Sequence, residues 1–70
     1  MKPGWIVHFT EPTLGPTDPD RTVHRLVIAK DDAHGVEWYS GRLIVYYGPD
    51  RWEYPAHRIA GVVCVGGKTP

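Results

Sequence analysis

The stretch Gly35–Val65, GVEWYSGRLIVYYGPDRWEYPAHRIAGVVCV, decides the fold. Two turn signals divide it, Ser40-Gly41 and Gly48-Pro49-Asp50-Arg51, and the segments between them carry the β-branched and aromatic residues that suit a pleated surface. Read as a two-residue loop, Ser40-Gly41 sets Tyr39 opposite Arg42, Trp38 opposite Leu43, Glu37 opposite Ile44 and Val36 opposite Val45. Reading the second signal as a four-residue turn places Tyr47 opposite Trp52, Tyr46 opposite Glu53 and Val45 opposite Tyr54. Side chains alternate with period two, so Val36, Trp38, Leu43, Val45, Tyr47, Trp52 and Tyr54 share an inner side. Glu37, Tyr39, Arg42, Ile44, Tyr46 and Glu53 share the outer one. The same side stays apolar through both turns, and Trp38 is expected in the core.

Working outward, Trp5–Thr10 alternates and reads as a first strand, with Trp5, Val7 and Phe9 on one face. Glu11–Asp20 holds three prolines, a glycine and two aspartates and is expected to be a long exposed loop. Arg21–Ala29 reads as a strand apolar on both faces, which suggests the curl of a barrel or a surface beneath a partner chain. Pro55–Arg58 suits at most one helical turn. Ile59–Val65 closes as a strand with a bulge or bend at Gly61, and residues 66–70 read as a tail. The expected architecture is one all-β domain: five or six antiparallel strands in a small, SH3-like barrel or strongly curled sheet.

Seventy residues bury only about 60% of the surface that the unfolded chain exposes. Cys64 is the only cysteine, so no disulfide within the chain can add to that small core, and self-association is the expected supplement. Eight basic residues balance eight acidic ones. That balance argues against non-specific binding to duplex backbone, which draws its affinity from basic excess. The first residues lack an apolar signal region and no run is long enough to span a membrane. With a lone cysteine, the cytoplasm is the expected compartment.

Few residues suggest chemistry. His8, His24, His34, His57 and Cys64 lack the short paired spacings of structural zinc sites, so no metal or other cofactor is expected. Asp31 and Asp32 read as turn formers that bond their own backbone. Cys64, within Val62-Val63-Cys64-Val65, reads as a small buried hydrophobe. No nucleophile with a neighbouring base and no glycine-rich phosphate loop is evident, and the chain is not expected to be an enzyme.

The outer side is richer. Tyr39, Arg42, Ile44 and Tyr46, mixed with Glu53 and joined by Arg58, are the residue types enriched where proteins meet partners. They form the expected partner-binding set, with a second copy or a host protein as partner. The same tyrosines with Arg42 and Arg58 would suit stacking of single-stranded nucleic acid or a nucleotide, an alternative that the charge balance disfavours. The run LIVYYG followed by WEYPAHRIAGV is similar in cadence to small β-proteins of actinobacteria and their phages. That resemblance covers about a third of the chain and implies a phage or bacterial accessory protein.

Overall fold

A computed structural model describes residues 3–66. The chain forms β1 (Gly4–Gly15), β2 (Asp18–Ala29), β3 (His34–Tyr39), β4 (Arg42–Tyr47) and β5 (Asp50–Pro55). A single 3-10 turn, Ala56–Arg58, leads into β6 (Ile59–Val65). The strands make two three-stranded antiparallel sheets, ordered β2-β1-β6 and β3-β4-β5. The fold is all-β, and no hydrogen-bonded ladder among the described residues closes either sheet into a barrel. Of the expected tail only Gly66 is described; residues 67–70 lie outside the described segment.

The core fills the space between the sheets. Val7, Phe9, Leu26 and Ile28 come from the first sheet and Leu43, Val45 and Tyr54 from the second. Trp5, Val36, Tyr47, Trp52, Ile59 and Val62 pack around them. Phe9 and Tyr54 meet across the sheets with ring centroids 5.0 Å apart at 56°, a tilted arrangement favoured by the ring quadrupoles.

The β3–β4 hairpin has the register that its turn implies, from Tyr39 opposite Arg42 to Val36 opposite Val45. Ser40 and Gly41 both have positive φ, 53° and 76°, as a type I′ turn requires. The β4–β5 register differs from expectation. Gly48 and Pro49 alone make the turn, so Tyr47 faces Asp50 and Val45 faces Trp52. Gly48 at φ 62° supplies the positive φ that a two-residue hairpin needs at its first position, and the proline ring fixes the second. The displacement is two residues, so every side chain keeps its face.

Three other expectations are corrected. Glu11–Asp20 is not a loop: β1 and β2 run on to a two-residue turn at Pro16-Thr17, with Thr13 opposite Val23 and Gly15 opposite Asp18. Register shifts between His8 and Gly15 absorb Pro12, and Pro19 lies on an edge strand, where a missing donor does no harm. Gly15 is buried at the end of this arm, and a Cβ there would sit 3.1 Å from Leu26 Cδ1. Trp38 is not core but 55% exposed. It is the next-to-last residue of an edge strand, one pair from the turn, while Leu43 across from it on the central strand is fully buried. Cys64 is exposed rather than buried; it lies near the end of β6, an edge strand, opposite half-buried Trp5, whereas Val62 two residues earlier still packs on the core.

Candidate functional site

The outer face of β3-β4-β5 gathers Tyr39, Arg42, Ile44, Tyr46 and Glu53 through the registers of both hairpins. Arg58 is elsewhere, in the 3-10 turn, where its Nε lies 3.2 Å from Glu11 Oε1. The groups on this face bond one another. Arg42 Nη1 donates to Glu53 Oε1 at 3.2 Å, Arg51 Nη2 lies 3.4 Å from Glu53 Oε2, and the Tyr46 hydroxyl donates to Glu37 Oε1. That last hydrogen bond holds the Tyr46 phenol above its ordinary 10.0, with burial and the Glu37 charge adding to the effect.

Ile44 lies at the centre of these groups. It is only 2% exposed yet belongs to no part of the core cluster. Its cross-strand neighbours are Glu37 and Glu53, and its neighbours two residues along β4 are Arg42 and Tyr46. The four long side chains are joined in pairs, Tyr46 to Glu37 and Arg42 to Glu53. Their aliphatic stems can shield an isoleucine while the polar ends stay in water. Tyr39, 66% exposed, is the large apolar group left open.

The outer face of β2-β1-β6 has a different character. Val27, Ile6 and Val63 stand side by side across its three strands, and Ala29, Gly4 and Val65 form the next row. Val27 is 58% and Val63 47% exposed. At this end an apolar groove of about 260 Å³ runs between Pro3, Trp5, Ile6, Val27, Ala29 and Val65. Polar residues begin one row further on, with Arg25 and Gly61 flanking His8. Gly4 lets the strands approach closely here, since a Cβ on it would run into the Ile28 carbonyl oxygen. The sequence carried part of this signal in the two-sided apolar character of β2. The row itself depends on the pairing of β1 with both β2 and β6, which has no local mark.

The remaining titratable groups do not assemble. Among the described residues, no three His, Cys, Asp or Glu side chains come together. Asp31 accepts from the Ala33 amide at 3.1 Å, as a turn former does. His34 stacks on Tyr47 with centroids 4.2 Å apart. Tyr54 donates from its hydroxyl to the Leu14 carbonyl at 2.9 Å, tying the second sheet to the β1–β2 arm, and burial pushes its phenol up to about 12. No helix among the described residues is long and apolar enough to cross a membrane. The chain matches no family model, and neither a curated protein nor a solved structure is similar to it.

Proposed function

We propose that this protein is a non-enzymatic interaction module, an accessory protein of phage or bacterial kind that docks on a protein partner through the outer face of β2-β1-β6. The observation that carries the reading is the apolar row Val27–Ile6–Val63, exposed at Val27 and Val63 and half-buried at Ile6, beside the groove at Ala29 and Val65. Contiguous exposed apolar surface is uncommon on small soluble domains and marks places where another molecule excludes water. The strand order supports reading the two sheets as halves of an incompletely closed, SH3-like barrel: a long hairpin, a three-strand meander, a 3-10 turn and a last strand that returns to β1. Such a scaffold leaves both outer faces free for recognition.

The face bearing Tyr39, Arg42, Tyr46 and Glu53 is the second surface for the same function, and its internal ion pairs make it the weaker of the two. Arg42 and Arg51 are both committed to Glu53. With Glu37 on the same face, the two arginines and two glutamates sum to no net charge, which weighs against single-strand binding. Capture of partners from bacterial lysate with the parent, Val27→Asp and Tyr39→Ala tests the reading. Loss of the captured partner with Val27→Asp, at unchanged melting temperature, supports docking on the β2-β1-β6 face. Retention by Val27→Asp with loss by Tyr39→Ala would move the site to the other face. An identical capture profile for all three proteins would refute the proposal.

A further inference from the structure

Among the described residues neither sheet closes, and four strands there present an edge: β2 and β6 in the first sheet, β3 and β5 in the second. An unpaired edge recruits other strands unless charge, proline or irregularity guards it. β2 is guarded by Asp18, Pro19, Asp20, Arg21 and Arg25, β3 by Glu37, and β5 by Asp50, Arg51, Glu53 and Pro55. β6, IAGVVCV, has neither a charge nor a proline. Its one irregularity is at Ala60, where pairing with β1 steps from His8–Gly61 to Phe9–Ile59. Beyond that bulge Gly61–Val65 runs regularly to Gly4–Val65. The Ile59 amide donates to the Ala56 carbonyl and caps the 3-10 turn; among the described residues, the backbone hydrogen bonds made outside helices and sheet ladders involve none of Gly61–Val65.

We propose that a second copy of this chain pairs on this edge, β6 against β6 and antiparallel, joining two three-stranded sheets into one of six strands. The inference rests on the interaction-module reading but uses a surface of its own. A two-fold axis perpendicular to the sheet keeps the outer faces on one side, so opposed residues must share a face. Centred on the straight segment, this sets Val63 opposite its own copy, Val62 opposite Cys64, and Gly61 opposite Val65. The observations favour a copy over a foreign strand. An uncharged strand turned on itself meets no repulsion, and the chain as a whole has zero formal net charge. A copy also extends what is already present: the row Val27–Ile6–Val63 meets its mate at Val63 and becomes one apolar band across six strands. The assembly closes, because the joined sheet ends on both sides in the guarded β2, and the isologous contact uses β6, which neither charge nor proline guards.

Sedimentation of the purified protein at micromolar concentration is expected to show a dimer. Val63→Lys, which sets two ammonium groups directly opposite each other at an exposed position, should weaken dimerisation by roughly tenfold or more while the circular-dichroism spectrum stays that of the folded parent. The geometry is read by cross-linking. Opposed residues in an antiparallel pair have Cα atoms about 4.5–5.5 Å apart, within disulfide reach. Val63→Cys in a Cys64→Ser background should therefore oxidise to a covalent dimer. Val27→Cys in the same background, two strands away, should not. A dimer that fails to cross-link at position 63, or that cross-links equally at position 27, would overturn the proposal. So would a monomer persisting to millimolar concentration, and in that case partner capture sensitive to Val27→Asp would still uphold the docking face.

Discussion

Replacing Tyr54 by phenylalanine tests how the two sheets are held together. The ring packs on Phe9, with centroids 5.0 Å apart, and lies 6.4 Å from Trp52. Its hydroxyl donates to the Leu14 carbonyl at 2.9 Å. Phenylalanine keeps the ring and its packing and removes only that bond. A neutral hydrogen bond contributes about 0.5–1.5 kcal/mol, and the Leu14 carbonyl is left without its partner, so Tyr54→Phe should cost about 1 kcal/mol at pH 7. Alkaline pH reverses the sign. Burial raises the phenol from 10.0 to about 12, so the folded state holds a proton that the unfolded state releases first. The stability tied to that proton is fully present below pH 10 and is lost as pH rises through 12. The full displacement corresponds to at most ~2.7 kcal/mol, and partial contact of the hydroxyl with water reduces this to about 1–2 kcal/mol.

The variant has no phenol at this position to ionise. Its deficit at pH 7 should therefore shrink above pH 10 and vanish or reverse by about pH 12. Urea melts of both proteins at pH 7, 9, 10 and 11.5 measure the difference directly, and every other titrating group is common to the pair. Equal stability at pH 7, or a deficit that stays constant from pH 7 to 11.5, would refute the assignment of Tyr54 as the buried tie between the second sheet and the β1–β2 arm.

Trp38→Ala should cost about 1 kcal/mol by urea melt, well short of the ~3–5 kcal/mol of a core tryptophan, because the side chain is 55% exposed. Ile44→Asp should unfold the protein or cost at least ~4 kcal/mol, since it buries a carboxylate between Glu37 and Glu53; circular dichroism and a melt decide it, and a stable variant would mean that the side-chain cover opens freely. Gly4→Ala should destabilise by about 1–3 kcal/mol through the clash with the Ile28 carbonyl, read as a lower melting temperature. Ser40→Asn, at φ 53°, should add about 0.5–1 kcal/mol, because asparagine tolerates the left-handed conformation better than serine.

The meander was legible because its information is local. Ser40-Gly41 sets a register of six pairs, and the period-two pattern then assigns faces without reference to the rest of the chain. A β4–β5 turn two residues longer than the one observed still assigns every side chain to its observed face, since a displacement of two preserves parity. Parity gives a side, however, and not a depth. Trp38 and Leu43 share the inner side, and only the central strand's residue is buried; Val62 and Cys64 share the inner side of one edge strand, and only Val62 packs on the core. Whether a strand is central or an edge is fixed by long-range pairing, as when β6 returns to β1, and no short motif announces it. The proline-rich arm was opaque for a related reason: its prolines lie where register shifts and an edge make them harmless, which composition alone cannot show.

Ile44 shows how the two outer faces come to differ. On β3-β4-β5 an apolar residue at the centre of the face is surrounded by Glu37, Glu53, Arg42 and Tyr46, all long enough to fold over it and paired in charge or hydrogen bonding so that folding over costs little. On β2-β1-β6 the equivalent central residue is Ile6, and its cross-strand neighbours are Val27 and Val63, while along β1 it lies between Gly4 and His8. Valine and glycine have no length with which to cover a neighbour. The second face therefore cannot shield itself, and water must be removed from it by another surface or remain in contact with it. The structural difference between a closed face and an open one thus reduces to the reach of four side chains around one isoleucine, and it predicts where a partner gains most by binding. Replacing Val27 with glutamate or lysine should make the open face resemble the closed one without touching the β6 edge, and the binding that this removes is the measure of what the face is for.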